Sequence, residues 1–266
     1  MAAQNYLRTK TQHNNIESIT MNDLISLIRK TIFFPVHPAG WPFIGIFAVV
    51  AFLLSMASCT LGWIGWILAF WCVFFFRNPQ RTTPTRAGLI VSPADGVVQM
   101  IVEAPLPPEL HEFKGQGDAL CDADKVTRVS VFLNVFDVHV NRIPADGEIK
   151  KVVYHPGKFF NASLDKASTD NERSTILMKL KDHPSSVAFV QIAGLVARRI
   201  ICKASAGQQA RAGDIYGIIR FGSRVDIFLP PGVNPLVCVG QRMIGGETVI
   251  ADAASSEAVR TGEIRG

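Results

Sequence analysis

Residues 38–76 read PAGWPFIGIFAVVAFLLSMASCTLGWIGWILAFWCVFFF, and these 39 residues contain no Asp, Glu, Lys, Arg or His. A single membrane-spanning helix needs about 20 apolar residues, so this run is long for one span and slightly short for two complete ones. Ser58–Gly62 forms a natural break between two apolar arms, Trp41–Ala57 and Trp63–Phe76. We therefore predict a helical hairpin within residues 36–77, either spanning the bilayer or shallowly inserted.

The flanks of this run predict its orientation in a membrane. Basic residues stand on both sides of it: Arg29, Lys30, Arg77, Arg81 and Arg86. The positive-inside rule then places both ends of the hairpin in the cytoplasm. Before it, residues 1–35 form a predicted amphipathic segment, in which Ile16–Ile32 has apolar residues at helical spacing. That helix lies either on the membrane or on an ordinary protein surface. An internal helix pair of a soluble core is the alternative to the hairpin.

Composition excludes several classes of protein. The chain is 48% apolar and only 18% charged, which rules out a disordered protein. Its 27 basic and 22 acidic residues form no concentrated basic stripe, so we expect no nucleic-acid partner. A mild positive excess beside a membrane segment suits an anionic membrane surface. The five cysteines are odd in number and lack metal-ligand spacing, so we expect free thiols and no metal site.

The pattern changes after the hairpin, where residues 78–266 contain short β-rich runs separated by Gly, Pro and Asp. Eight strands are predicted: Arg128–Val135, Lys150–Tyr154, Ser174–Leu180, Val187–Ile192, Arg199–Lys203, Ile215–Ile219, Arg224–Leu229 and Leu236–Val239. Glu109–Ala123 holds a helical turn or a loop. The predicted fold class is therefore mainly β, a sandwich or barrel-like domain behind an N-terminal α-helical membrane hairpin.

Three positions are candidates for chemistry. Asp95 lies in Pro-Ala-Asp-Gly, a tight turn feeding a strand that recurs at 144–147. His139 follows an apolar run, and Asp137, two residues earlier, would point to the same face and orient the imidazole. A structural histidine is the alternative. Ser223 follows Gly222 between two β-like runs with arginines on both sides, an arrangement also typical of a hairpin turn.

Five motifs in a fixed order resemble the phosphatidylserine decarboxylase family. They are Pro93-Ala94-Asp95-Gly96, Phe132-Leu133 with Asp137–Pro144, Tyr154-His155-Pro156-Gly157, Asn171-Glu172-Arg173 and Phe221-Gly222-Ser223. Each motif alone is a weak signal, but their order is specific. The chain is most similar to the short bacterial form with an N-terminal membrane hairpin, and the resemblance extends from about residue 33 to 250.

The resemblance implies a self-processing proenzyme with residues 78–266 as its decarboxylase domain. Ser223 would attack the carbonyl of Gly222, and elimination would split the chain into an associated β chain, 1–222, and α chain, 223–266. Residue 223 becomes a covalent pyruvoyl cofactor, an electron sink that takes the place of pyridoxal phosphate and uses no metal. The implied reaction converts phosphatidylserine, held as a Schiff base, to phosphatidylethanolamine and CO2. The implied location is the bacterial inner membrane, with the catalytic domain facing the cytoplasm.

The family's catalytic residues carry over with one departure. Asp95 and Ser223 match the aspartate and serine of its processing triad, and His139 is our candidate general acid for decarboxylation. Long-form relatives carry a second histidine where this chain has Arg142. Either His139 serves both steps or another histidine, such as His155, enters the site, and Arg142 is a candidate ligand for the substrate phosphate or carboxylate. The rival interpretations are a membrane-anchored serine hydrolase using the same three residues and a non-catalytic β binding module.

Overall fold

The computed structural model describes residues 34–157, 170–181, 183–194, 199–220 and 222–265. The predicted amphipathic segment, with its helix over Ile16–Ile32, lies outside these ranges. Two apolar helices, α1 (Trp41–Ala57) and α2 (Cys59–Phe75), come first and are joined only by Ser58 in an extended conformation. A 3-10 turn, Pro38–Gly40, precedes α1, and Pro38–Ala57 is long and apolar enough to cross a membrane by length and composition.

The break between the helices is shorter than the sequence suggests. Helix α1 coincides with the first predicted arm, but α2 begins at Cys59, four residues before the predicted start. Gly62 lies inside α2 and does not end a helix. It packs directly against α1, since a Cβ at this position would lie 2.5 Å from the hydroxyl of Ser55. A Cβ on Gly65 would likewise lie 2.7 Å from the Cα of Ala51. Small residues at these positions let two helix backbones pack against each other, as in membrane helix pairs.

The remainder of the described chain is mainly β, which confirms the predicted fold class. Its strands are β1 (Leu89–Val91), β2 (Gly96–Ala104), β3 (Val126–Leu133), β4 (Val140–Arg142), β5 (Gly147–His155), β6 (Arg173–Leu180), β7 (Ser186–Ala193), β8 (Ile200–Cys202), β9 (Gln209–Ala210), β10 (Ile215–Ile219), β11 (Ser223–Phe228), β12 (Arg242–Met243) and β13 (Val249–Asp252). A 3-10 helix, Pro108–Phe113, and a single helical turn, α3 (Ala119–Asp122), fall where a helical turn or loop is predicted.

The strand pairs of the described residues are all antiparallel and form three sheets. The largest has the order β12-β2-β3-β11-β7-β6-β5-β9 and curls into a half-barrel. A three-stranded sheet has the order β4-β10-β8, and β1 pairs with β13. Strand β11 lies in the middle of the large sheet, with Val225 and Ile227 in the main apolar core and Phe228 in a second core on the opposite face. The strand that begins at Ser223 is thus held from both sides.

Several strands differ from their predicted limits. Strand β10 has its predicted bounds, and most others shift by one to three residues. The strand predicted at Leu236–Val239 is wrong, because this segment is irregular, and the isolated bridge of Pro235 with Ala251 lies just before it. The Asp-Gly turns behave as predicted, since Gly96 begins β2 and Gly147 begins β5. Gly96 has φ of 151°, and a Cβ there would lie 2.2 Å from the carbonyl oxygen of Phe132.

Candidate active site

The Gly-Ser pair marks a crossing between two sheets. Strand β10 belongs to the three-stranded sheet and β11 to the large one, so the hairpin-turn interpretation of Gly222-Ser223 is wrong. Ser223 pairs with Leu133 of β3 and Ala193 of β7, and it is completely buried. In the described part of the chain, its hydroxyl oxygen has no hydrogen-bond partner. A buried polar atom without a partner is costly, and a catalytic role is one explanation for keeping it.

Gly222 has the backbone geometry expected at a reactive peptide bond. Its φ of 67° lies in the left-handed region, which costs other residues about 1–2 kcal/mol. Its carbonyl oxygen accepts a hydrogen bond from the backbone N–H of Gly194 at 3.0 Å. A donor on this oxygen withdraws electrons from the carbonyl carbon and would stabilise negative charge developing on the oxygen.

His139, between β3 and β4, is fully buried and oriented by the backbone. Its Nδ1 lies 3.0 Å from the carbonyl oxygen of Asp137. Since a carbonyl can only accept, Nδ1 carries the hydrogen and Nε2 is left with a free lone pair. Among the described residues, Nε2 has no hydrogen-bond partner. Burial lowers the pKa of His139 from 6.5 to about 4, opposed by the bond to Asp137 and assisted by the charge of Arg77. The imidazole is therefore neutral at pH 7, and the lone pair of Nε2 is available to a proton.

The C-terminal end of α2 covers His139. The rings of Phe75 and His139 are 4.2 Å apart between centroids, and Phe75 is fully buried. Phe75 belongs to an apolar cluster from the end of α2, the start of β4 and β10: Cys72, Phe75, Phe76, Val138, Val140 and Ile218. Partly buried residues of α1, among them Phe43 and Phe47, pack against it. We call it the hairpin-base cluster. The backbone carbonyl of His139 also accepts from Ile219 N–H at 3.2 Å, four residues before Ser223. The helix pair and the histidine thus form one packed unit.

Asp95 has partners other than the predicted ones. Its carboxylate accepts from Arg81 at 2.7 Å and from the backbone N–H of Gly245 at 2.8 Å. Burial raises the pKa of Asp95, and the charge of Arg81 opposes this rise. Within the described ranges, no hydrogen bond joins Asp95 to His139 or to Ser223. A catalytic role for Asp95 remains a prediction.

The expectation that the carboxylate of Asp137 orients the imidazole is wrong. The backbone carbonyl of Asp137 holds Nδ1, and its carboxylate instead accepts from Asn134 N–H at 2.9 Å and from Arg242 at 2.5 Å. The chain turns between Asn134 and Asp137, which bond to each other, so the strand spacing on which the prediction depends does not apply.

Arg142 is engaged in holding the backbone. Its guanidinium donates to the carbonyls of Gly213 at 2.8 Å and Pro79 at 2.9 Å, and to the side chain of Asn78 at 3.2 Å. These bonds fasten the segment that follows α2 to the β domain, so Arg142 is not presented to a ligand as the sequence suggests. His155 ends β5, and β6 and β7 separate β5 from β11. The side chain of His155 is 45% exposed and lies 3.9 Å from Glu109.

The sequence did not predict three contacts of the site: Gly194 N–H donates to the carbonyl of Gly222, the Phe75 ring packs on His139, and Arg81 pairs with Asp95. None of Gly194, Phe75 and Arg81 lies near Ser223 or His139 in sequence, and only Arg81 has a local signal, as a basic flank of the hairpin. No group of three or more His, Cys, Asp and Glu side chains in the described ranges is placed to hold a metal ion.

Comparison with known proteins identifies the family of the chain. Residues 68–251 match the family model described as phosphatidylserine decarboxylase. The chain is 55% identical over 238 residues to the phosphatidylserine decarboxylase proenzyme of Paramagnetospirillum magneticum, covering 90% of this chain and 95% of that protein. It is 54% identical over 243 residues to that of Cereibacter sphaeroides, covering 91% and 99%. The proenzyme of Rickettsia felis is 53% identical over 231 residues, covering 87% and 92%. The chain is an enzyme and belongs to the phosphatidylserine decarboxylase family.

Proposed function

We propose that this enzyme converts phosphatidylserine to phosphatidylethanolamine and CO2 with a pyruvoyl group that it makes from Ser223. The observation that carries the proposal is the buried, unpartnered hydroxyl of Ser223 directly after a glycine whose carbonyl oxygen is held by Gly194. The family membership and the word proenzyme in the relatives' names support a chain that is cleaved.

Self-cleavage begins at Ser223. Its Oγ passes a proton to Nε2 of His139 and attacks the carbonyl carbon of Gly222, whose oxygen is stabilised by Gly194 N–H. The C–N bond between residues 222 and 223 breaks, and the proton returns to the freed nitrogen, giving an ester and an amine. Removal of the Cα hydrogen of Ser223 then expels the carboxylate of Gly222. The dehydroalanine that remains takes a proton at Cβ to become an imine, and water hydrolyses the imine to a ketone and ammonia.

A pyruvoyl group at residue 223 would supply a ketone able to condense with an amine and to accept electrons during decarboxylation. The surroundings of Ser223 fit such a group, because Leu133 and Ala193 hold this residue at the start of β11 after its bond to Gly222 is broken. Neutral His139 can take a proton from the substrate ammonium at Nε2 and return it to the carbon that loses CO2. One histidine can therefore serve both stages.

The two chains should remain associated after cleavage. Strand β11 belongs to the small chain, and its neighbours β3 and β7 belong to the large chain. The small chain also contributes β12, which pairs with β2 at the edge of the large sheet, and β13, which pairs with β1. These ladders, together with the buried side chains of Val225 and Ile227, would hold the small chain without a peptide bond.

The helix pair supports a membrane location for the substrate. Large apolar side chains on it are exposed, including Met56 at 74% and Phe70 at 72%, and such a surface is expected to face lipid. Phe75 joins this pair to His139. We propose that the enzyme sits in the bacterial inner membrane with its catalytic domain on the cytoplasmic side, where the basic residues beside the helices are favoured.

Carboxyl-labelled phosphatidylserine tests this function. Purified enzyme in neutral detergent should release labelled CO2, and Ser223→Ala should release none. Ser130→Ala is the matched control, because Ser130 is also a buried β-strand serine whose hydroxyl has no partner among the described residues. Ester hydrolysis without CO2 release would instead indicate a serine hydrolase. Activity of Ser223→Ala equal to that of Ser130→Ala would refute the proposal.

A further inference from the structure

Three cations flank β8 and β10 near the start of the helix pair. Arg199 comes immediately before β8, and Arg220 comes immediately after β10. Since β8 and β10 are antiparallel, these residues face each other, and Arg220 N–H donates to the carbonyl of Arg199 at 3.3 Å. Lys203 follows the other end of β8. We call Arg199, Lys203 and Arg220 the basic cluster.

No carboxylate neutralises this cluster within the described part of the chain: none of its three side chains forms an ion pair with Asp or Glu. Glu172 lies at the start of β8, but its Oε1 accepts the backbone N–H of Ile200 at 3.1 Å. Arg220 is partly buried, and its Nε is both buried and without a hydrogen-bond partner among the described residues. Its guanidinium lies over the ring of Phe43, 5.0 Å from the centroid.

The positive charges of the basic cluster lower the pKa values of neighbouring groups. Burial lowers the pKa of Arg220, and the charge of Arg199 lowers it further. The pKa of His37 is lowered by burial first, and then by the charges of Lys203 and Arg220. Like charges opposite each other on paired strands are destabilising. A bound anion would relieve this repulsion and satisfy the buried Nε of Arg220.

The position of the cluster indicates which anion. Phe43 belongs to the first turns of α1, and His37 N–H donates to the carbonyl of Phe76 at 2.8 Å, so both ends of the helix pair meet here. Lipid phosphates lie at the ends of membrane-inserted helices. The planar fork of arginine matches two phosphate oxygens at once.

We propose that Arg199, Lys203 and Arg220 bind the phosphodiester of an anionic glycerophospholipid at the membrane surface. The binding itself is independent of catalysis, whereas the identity of that lipid with the substrate rests on the function proposed above. Arg220 precedes Ser223 by only three residues, so a lipid held here is close in the chain to the reacting group.

Binding to the uncleaved full chain tests the proposal. Titration calorimetry on Ser223→Ala in neutral detergent would use dihexanoyl-phosphatidylserine and dihexanoyl-phosphatidylglycerol as soluble probes. Adding Arg220→Gln should weaken both at least roughly tenfold, as expected for the loss of charge-assisted hydrogen bonds. Arg199→Gln is a second variant at an exposed position with little risk to folding. Arg211→Gln is the matched control, because this exposed arginine lies before the opposite end of β10 and carries the same charge.

The outcomes separate the alternatives. Equal binding by the Arg220→Gln and parent proteins, or equal weakening by Arg211→Gln, would overturn the proposal. Competition by inorganic phosphate at the same concentration would contradict a lipid ligand. In cleaved enzyme with intact Ser223, a KM for phosphatidylserine raised roughly tenfold by Arg220→Gln, with kcat little changed, identifies the bound lipid as substrate. An unchanged KM assigns the site to a second lipid. Binding stays measurable even if no CO2 is released, so failure of the proposed function is distinguishable.

Discussion

Removal of the Phe75 ring should change the pH dependence of self-cleavage. The ring covers His139 at 4.2 Å, and burial is the main cause that lowers the pKa of this histidine to about 4. A base acts only while it is neutral. Cleavage by the parent protein should therefore stay level as the pH falls from 8 to 5.5 and decline only as it approaches the lowered pKa.

The size of the effect follows from the two pKa values. At pH 5.5 a histidine with the lowered pKa is about 97% neutral, whereas one with the ordinary value of about 6.5 is only about 9% neutral. If Phe75→Ala admits water and restores the ordinary value, cleavage at pH 5.5 should fall roughly tenfold relative to pH 8. At pH 8 both proteins contain neutral His139, so the ratio of their rates should not depend on this titration.

The assay follows newly made precursor. Pulse-labelled chain from cell-free synthesis in detergent is diluted into buffers from pH 4 to 8, and the two fragments are separated by electrophoresis over time. Phe47→Ala is the control, because Phe47 packs on the hairpin-base cluster but makes no ring contact with His139. Phe75→Leu is a milder variant if the alanine cavity, which costs about 3–5 kcal/mol, impairs folding. A level profile for Phe75→Ala, or a parent midpoint near pH 6.5, would refute the reasoning.

Three further substitutions test the site. Gly222→Ala should slow cleavage about tenfold in the same gel assay, because the positive φ of this residue is disfavoured for alanine. Gly232→Ala is the control: its φ of 79° carries the same backbone penalty away from the site, so this variant should cleave normally. Asp137→Asn should change the cleavage rate less than about threefold, since a backbone carbonyl orients His139; a loss of about 100-fold would show that the carboxylate is required. Arg142→Met should lower the free energy of unfolding by about 3 kcal/mol in a melting experiment, because the carbonyls of Gly213 and Pro79 lose their hydrogen-bond donor, and it should leave KM unchanged. A raised KM at full stability would support the predicted role of Arg142 as a substrate ligand.

Part of the fold is readable from local chemistry. An uncharged run with one polar break fixes the first helix, Trp41–Ala57, at its observed bounds. Gly62 is misinterpreted as part of the break, because sequence alone does not distinguish a helix-ending glycine from one that lets two helices touch. Leu236–Val239 has the composition of a strand, but a strand needs a partner along its whole length. In the described chain this segment makes one such contact, from Leu236 N–H to the carbonyl of Ile250, beside the bridge of Pro235 with Ala251.

The site is predictable where its residues are neighbours in sequence. Gly222 and Ser223 form a recognisable pair, and His139 stands at a strand end. The partners that define their chemistry come from elsewhere: Gly194 reaches Gly222 through pairing of β7 with β11, and Phe75 reaches His139 from the helix pair. Such contacts depend on tertiary packing and leave no local pattern.

Intact-mass analysis of the smaller fragment tests the central claim most directly. Protein purified from its native host should yield residues 223–266 lighter by one molecule of ammonia than the same peptide beginning with serine. Borohydride treatment should then add two hydrogens to its terminal ketone. A fragment that begins with an unmodified serine, or an uncut active chain of 29.1 kDa, would contradict the account.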